Sequence, residues 1–196
     1  MEPWFRPLVW LDYRLAVLFA VLIPIALSIW AFVRKVDAMQ RLFIIYWRVS
    51  SLLVITLYMT IASIPIGFVC GIVARILIPI SLWFWVDLNE EIDDLSSSTL
   101  KWAMTSWRWA MTVYSVLGLC FAFPSLRCGF IGLEGILETP ACRVWLEVPW
   151  KYKEYFHANT NAGFLGFLGI AGLIFYVLFL TSFVFRLSKQ GRSAMG

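Results

Sequence analysis

Five long runs of apolar residues, separated by shorter polar segments, set the pattern of this chain. They predict membrane-spanning helices at about residues 15–33, 42–63, 68–86, 109–126 and 160–185. The hydrocarbon core of a bilayer takes about 20 helical residues, so each run is long enough to cross it or nearly so. We therefore expect an all-α integral membrane protein in which residues 1–196 form a single membrane domain, a bundle of about five transmembrane helices.

The longest apolar stretch, from Val49 to Val86, contains a single charge, Arg75. It is too long for one crossing. We interpret it as most of spans two and three, joined by a Pro/Gly hairpin that turns at residues 64–67, where Pro65 and Gly67 interrupt the helical pattern. The alternative is one span followed by a partly inserted segment, which would give four spans and place Arg75 in a loop.

The distribution of basic residues favours five spans. With five spans and a cytoplasmic C-terminus, nine Lys and Arg residues lie on the cytoplasmic side and six on the other side. With four spans the division is eight to eight. Because basic residues accumulate in cytoplasmic loops, we expect the basic tail to be cytoplasmic and the large polar loop, about residues 127–157, to lie on the opposite side.

Composition agrees with a membrane location. Hydrophobic residues make up 61% of the chain and charged residues only 14%, against about 25% charged residues in an ordinary soluble domain. The net charge of +4 is modest and scattered, which excludes a nucleic-acid-binding pattern and suits anionic lipid headgroups. Many of the 11 Trp residues flank apolar runs, as interfacial anchors do. Membrane lipid is therefore an expected partner.

Arg75 is the charge that needs an explanation. An unpaired charge at membrane depth is costly, and the apolar runs hold no acidic residue to match it. Pro79, four residues further on, cannot donate to the carbonyl of Arg75, so the same turn also has a free acceptor. We predict that Arg75 and Pro79 mark a contact with a backbone carbonyl, a lipid phosphate or an acidic residue of a partner protein.

Four cysteines divide into two pairs of different character. Cys70 and Cys120 lie in apolar runs, where a free cysteine behaves as a small hydrophobic residue. Cys128 and Cys142 lie in the large polar loop, outside the cytoplasm in the five-span topology, where a disulfide can persist. Either they form a disulfide that closes a loop of about 15 residues, or they are two unconnected thiols.

Candidate chemistry is otherwise sparse. The single histidine, His157, excludes a bis-histidine haem and a His-rich metal centre within this chain. No phosphate-binding loop or nucleophile elbow occurs, so we expect no enzymatic activity. His157 is a candidate axial ligand for a chlorophyll near the membrane surface, and the alternative is an interfacial residue in contact with water and headgroups. Chlorophyll and carotenoid are the cofactors to consider.

The fifth apolar run has small residues at a regular spacing. Gly163, Gly166, Gly169 and Gly172 recur every three residues. Small residues let another helix, a flat pigment or a lipid approach the backbone closely. The glycines therefore predict a helix-packing face, used either by the other spans of this chain or by another subunit.

Several segments of the chain resemble one known family. They are MEPWFRP at residues 1–7, DYR at residues 12–14, WFWVDLN at residues 83–89 and the tail from Arg186 to Gly196. In these it resembles a family of multi-pass cyanobacterial membrane proteins known only as a domain of unknown function. The resemblance implies a thylakoid membrane, a lumenal large loop, a cytoplasmic tail, and association with photosynthetic complexes or their assembly.

Two classes of function remain open. A small-residue face, many aromatic residues and few polar side chains favour a non-catalytic accessory or assembly factor that binds other integral membrane proteins, with photosystem II biogenesis and photosystem subunits as the most specific expectation. The alternative is a small transporter or channel that uses Arg75 and the Pro-broken helices.

Overall fold

The computed structural model describes residues 3–190, apart from the side chains of residues 184 and 186–190. Within this part, five helices are long and apolar enough to cross a membrane: Arg6–Val33, Asp37–Ile61, Ile66–Trp83, Thr99–Phe130 and Ala162–Phe183. The described residues contain no strand. The predicted all-α integral membrane fold with five spans is therefore confirmed. The basic tail predicted to be cytoplasmic lies outside the described side chains.

The helices are, in chain order, α1 (Arg6–Val17), α2 (Ile23–Val33), α3 (Asp37–Ile61), α4 (Ile66–Trp83), α5 (Val86–Asp93), α6 (Thr99–Ala122), α7 (Leu133–Glu138), α8 (Pro140–Phe156) and α9 (Ala162–Gln190). A π-helical section, Leu18–Leu22, joins α1 to α2, and a 3-10 section, Phe123–Phe130, extends α6. The α2, α3, α4 and α6 helices form a ring, because α3 and α6 each contact both α2 and α4. α9 packs against α3 from outside this ring.

Pro24 shapes the first span by removing a backbone donor. The N–H of residue 24 would donate to the carbonyl of Ala20 in an α-helix or to that of Phe19 in a π-helix. Because proline has no N–H, neither carbonyl receives this bond. Tyr46 donates its hydroxyl to the oxygen of Ala20 at 2.7 Å, and the indole of Trp107 donates to the oxygen of Phe19 at 2.9 Å. Side chains of α3 and α6 therefore satisfy the irregular backbone, which is what a lipid environment requires.

The hairpin between spans two and three turns slightly earlier than predicted. α3 ends in a Schellman motif, in which Ser63 adopts φ 56° and the N–H of Ile64 donates to the oxygen of Met59 at 2.9 Å. Pro65 follows as the residue before α4, as expected of a turn. Gly67 lies inside α4, where a Cβ would be 3.0 Å from a methyl of Thr60. Its role is close approach of the two helices rather than the turn itself.

Two helices extend well beyond the predicted spans, for a shared reason. The first helix begins at Arg6 rather than residue 15, and the fourth begins at Thr99 rather than residue 109. Each extension carries charged residues whose side chains are buried, Asp12 in the first and Arg108 in the fourth. Asp12 forms an ion pair with Arg75, and the guanidinium of Arg108 donates to a backbone oxygen and to Asn89, so the helices continue where the hydropathy pattern stops.

The polar loop of residues 127–157 is largely helical. It comprises the end of the 3-10 section, α7 and α8, and α8 lies against the N-terminal helix. The guanidinium of Arg6 donates to a carboxylate oxygen of Glu147 at 2.8 Å, and the indole of Trp10 donates to the same oxygen at 3.1 Å. The hydroxyl of Tyr13 donates to the backbone oxygen of Trp145 at 3.1 Å. These bonds fix the loop region on α1.

Three of the four glycines in the predicted packing face lie against α3. A Cβ at Gly166 would be 2.5 Å from the Cβ of Ala62, and one at Gly169 would be 3.0 Å from the backbone nitrogen of Met59. Gly172 faces Ile55 in the same way. Gly163 precedes this contact, and its N–H donates to the side chain of Asn161 at 2.7 Å. These three glycines therefore pack against another span of the same chain, which was one of the two predicted alternatives.

We predict that Gly169→Ala lowers the free energy of unfolding by about 1–3 kcal/mol, because the added methyl meets backbone that cannot easily move. Gly132→Ala is the matched control, since a Cβ there meets nothing within 4 Å. Thermal unfolding of the purified variants in detergent measures both effects. Equal melting temperatures for Gly169→Ala and the unchanged protein would contradict this packing of α9 on α3.

Candidate functional site

The charge of Arg75 is paired within the chain. Arg75 lies nine residues into α4, about 14 Å along the helix axis from its first residue. Its guanidinium forms an ion pair with the carboxylate of Asp12 in α1, and the two side chains are 14% and 8% exposed. Asp12 precedes the first predicted span, which starts at about residue 15, so the predicted apolar runs contained no acid to match Arg75. The expectation that a lipid or partner protein supplies the counter-charge is therefore wrong.

Tyr114 of α6 completes a cluster of three polar side chains. Its hydroxyl donates to the backbone oxygen of Asp12 at 3.0 Å and lies 3.2 Å from the carboxylate. The guanidinium of Arg75 lies 3.5 Å from the same hydroxyl. Phe19 stacks on the Tyr114 ring, with centroids 5.8 Å apart. The cluster thus joins three helices by hydrogen bonds in a site from which water is largely excluded.

Gly118 provides the space that the guanidinium occupies. It lies one turn after Tyr114 on the same face of α6. A Cβ at this position would collide with Nη1 of Arg75 and would lie 3.4 Å from Oδ1 of Asp12. Sequence reasoning did not identify Asp12, Tyr114 or Gly118. The spacing of four residues between Tyr114 and Gly118 indicates that they share one face of a helix. Only the arrangement of the helices shows that this face meets Arg75.

Pro79 lies inside α4 one turn after Arg75, and the helix continues through it. Pro79 leaves the backbone carbonyl of Arg75 without its helical donor. The described contacts of the Arg75 side chain are to Asp12 and Tyr114 and not to this carbonyl. Arg75 and Pro79 therefore do not form the joint contact that their spacing suggested. Asp12 supplies the counter-charge of Arg75, and Tyr114 adds a polar contact.

A second buried cation, Arg108, lies nearer the other end of the bundle and was missed as a candidate. It is 2% exposed. Its guanidinium donates to the oxygen of Leu82 at 2.9 Å and to the side chain of Asn89, and it stacks on the ring of Trp83 with its carbon 4.0 Å from the centroid. Asn89 also donates to the oxygen of Trp83 at 3.1 Å. Arg108 and Asn89 thereby cap the carbonyls that end α4.

His157 lies at the junction of α8 and α9 and is half-buried. Its Nε2 atom is 3.4 Å from the hydroxyl of Tyr58, and its ring centroid is 5.9 Å from that of Tyr152. Burial raises the pKa of the Tyr152 phenol. The Nε2 atom, which a chlorophyll magnesium could take as a ligand, is therefore already close to the hydroxyl of Tyr58. Tyr155 and Phe156 beside it are 75% and 70% exposed.

Cys128 and Cys142 form a disulfide that ties the 3-10 section to α8. Both residues are buried, with 1% and 0% exposure. Cys70 is a buried free thiol and Cys120 an exposed one. Across residues 3–190, no group of three or more His, Cys, Asp or Glu residues could hold a metal ion.

Removing one partner of the buried ion pair should destabilise the protein more than removing both. We predict that Arg75→Met lowers the free energy of unfolding by about 3–5 kcal/mol, because it leaves the Asp12 carboxylate without its cation. Asp12→Leu combined with Arg75→Met should recover most of this loss. Thermal unfolding in detergent measures the stability of the double variant and of the two single variants, Asp12→Leu and Arg75→Met. A double variant as unstable as the sum of the two single variants would rule out coupling between the charges.

The disulfide should contribute to stability by constraining the unfolded chain. For a loop of about 15 residues the expected contribution is about 3 kcal/mol. We predict that replacing both Cys128 and Cys142 by Ser lowers the melting temperature, and that a reductant lowers it for the unchanged protein but not for this variant. Cys120→Ser serves as the control with the disulfide intact. Insensitivity of the unchanged protein to a reductant that demonstrably cleaves the bond would contradict this role.

Comparison with known proteins identifies one family. The family described as "Protein of unknown function (DUF3177)" matches residues 6–195, nearly the whole chain. No curated protein and no solved structure matches the chain. The matched range includes all five spans, the buried ion pair and the disulfide. The chain therefore belongs to the DUF3177 family, whose function is unknown.

Proposed function

We propose that this protein is a non-catalytic accessory or assembly factor that binds other integral membrane proteins. The observation that carries the proposal is the internal use of its membrane-depth charges. Arg75 is neutralised by Asp12, and Arg108 is bonded to backbone and to Asn89. These groups stabilise the bundle, which leaves its outer apolar faces to recognise lipid and partner helices.

Those outer faces carry large exposed side chains on three helices. Phe32 of α2 is 71% exposed, Leu117 of α6 is 65% exposed and Phe175 of α9 is 73% exposed. Association of helices within lipid depends on van der Waals packing, and these side chains are available to pack against a partner helix. The same faces also provide apolar area against which a carotenoid or the tail of a chlorophyll could lie.

The more specific proposal places the protein in a thylakoid membrane, in the biogenesis of photosystem II, with the large loop lumenal and the C-terminus cytoplasmic. The family resemblance supports this setting, and the division of basic residues supports the orientation. A disulfide in the loop region agrees with a compartment that permits oxidised cysteines. Photosystem subunits are then the partners to look for.

A small transporter or channel is the second candidate. The cluster of Asp12, Arg75 and Tyr114 at membrane depth favours it, since intramembrane charges often mark pathways. Two surface cavities, of about 310 and 380 Å³, lie at opposite ends of the bundle instead of at this cluster. The pairing of the charges and the position of these cavities favour the accessory role.

Purification from native membranes in a gentle detergent tests the proposal. We predict that a tagged protein carries photosystem subunits with it, identified by mass spectrometry, and that an absorption spectrum shows whether pigment is bound. Phe32→Ala, Leu117→Ala and Phe175→Ala each remove an exposed side chain from one helix, so the variant that loses the partner locates the contact face. A colourless protein without partners that binds a small solute would instead favour transport.

His157→Ala tests the pigment contribution separately. If His157 is an axial ligand, the variant loses chlorophyll absorbance while its protein partners are retained. Tyr58→Phe is the matched control, because it removes the hydroxyl near Nε2 but leaves the imidazole in place. Equal absorbance in His157→Ala and the unchanged protein would exclude this residue as the ligand.

A further inference from the structure

A cavity of about 310 Å³ opens at the end of the bundle that carries the disulfide. Its walls come from three parts of the chain: Trp4 and Phe5 before and at the start of α1, Cys120 and Phe121 near the end of α6, and Trp145 of α8. Its volume lies at the lower end of the range of about 300–1,000 Å³ that is usual for small-molecule sites. Most of the surrounding side chains are aromatic or otherwise apolar.

The polar group that this cavity offers to a ligand is the guanidinium of Arg127. Arg127 lines the cavity and is exposed, and it forms no ion pair with the described residues. Ser125, which also lines the cavity, already donates its hydroxyl to the oxygen of Ala122 at 2.7 Å. Glu147 of α8 is bound by Arg6 and Trp10. A ligand therefore meets an apolar wall with one cation.

The position of the cavity in the fold suits an amphiphile that uses both the apolar wall and the guanidinium of Arg127. Cys120 and Phe121 belong to the last turn of α6, within a helix long and apolar enough to cross a membrane, whereas α8, which contains Trp145, is not among the five such helices of the described residues. We infer that the cavity lies at the boundary between hydrocarbon and headgroups, the level at which Trp side chains anchor proteins. An amphiphile would place its apolar part against the aromatic rings and its anionic group beside Arg127.

We propose that this cavity binds an anionic membrane lipid through its headgroup at Arg127 and its acyl chain along Phe121 and Trp145. Charge complementarity selects the anionic headgroup, since one basic side chain near an anionic lipid favours binding about fivefold. The bound lipid would contact α6, α8 and the N-terminal segment together. The site is independent of the accessory role proposed above and of the identity of any protein partner.

Cys120 provides a reporter inside the proposed site. It is an exposed free thiol that lines the cavity, whereas Cys70 is buried and the other two cysteines form a disulfide. The purified full chain in detergent is titrated with phosphatidylglycerol or with phosphatidylcholine, and the rate of Cys120 modification by N-ethylmaleimide is followed by mass spectrometry. We expect phosphatidylglycerol to slow the modification at about fivefold lower lipid concentration than phosphatidylcholine.

Two variants of equal charge change decide whether the effect belongs to the cavity. Arg127→Gln should remove the preference for phosphatidylglycerol. Arg143→Gln, at an exposed position of α8 that does not line the cavity, should retain it. Equal loss in both variants would show general surface attraction and overturn the proposal. So would protection by inorganic phosphate alone, or equal protection of the unchanged protein by the two lipids.

Far-ultraviolet circular dichroism and thermal unfolding establish that both variants are folded before their lipid dependence is compared. This experiment tests lipid binding separately from the accessory role, because the lipid preference of Arg127→Gln is measured on the purified protein without any partner. Co-purification of partners with Arg127→Gln addresses the other proposal.

Discussion

The structure depends first on the pairing of Arg75 with Asp12. A single charge in a low-dielectric environment is costly, and two opposite charges in contact remove most of that cost when further hydrogen bonds complete the site. Tyr114 supplies such a bond, and Gly118 leaves room for the guanidinium. Because the four residues come from α1, α4 and α6, satisfying one charge fixes the relative positions of three spans.

The same rule governs the rest of the bundle. At two places where a helix is irregular or ends, a side chain from another helix donates to the exposed backbone. Tyr46 and Trp107 do so at the π-helical section, and Arg108 does so at the end of α4. Polar atoms within lipid must find partners inside the protein. These polar side chains are therefore structural, and the function proposed above assigns recognition to the outer faces and to the cavities at the ends.

The number and order of the spans could be predicted from the sequence, because apolar runs of sufficient length report directly on the bilayer. The full length of the helices that contain the spans could not. Asp12 and Arg108 make the flanking segments look polar, although both charges are buried against residues far away in the chain. The partner of Arg75 was hidden for the same reason. The regularly spaced glycines predicted close packing of the fifth span. Whether they pack against α3 or against another subunit could be decided only from the position of α9 in the fold.

The separation of the two charges along the chain constrains how the protein can be made. Asp12 and Arg75 are 63 residues apart, and Tyr114 follows Arg75 by another 39. During synthesis the first helix therefore emerges with an acidic residue whose cation has not yet been translated. Asp12 lies in the middle of α1, within the first span. Its ion pair with Arg75 can form only after the third span, α4, has been made, so the pairing that holds the first span in place comes after the synthesis of two more spans.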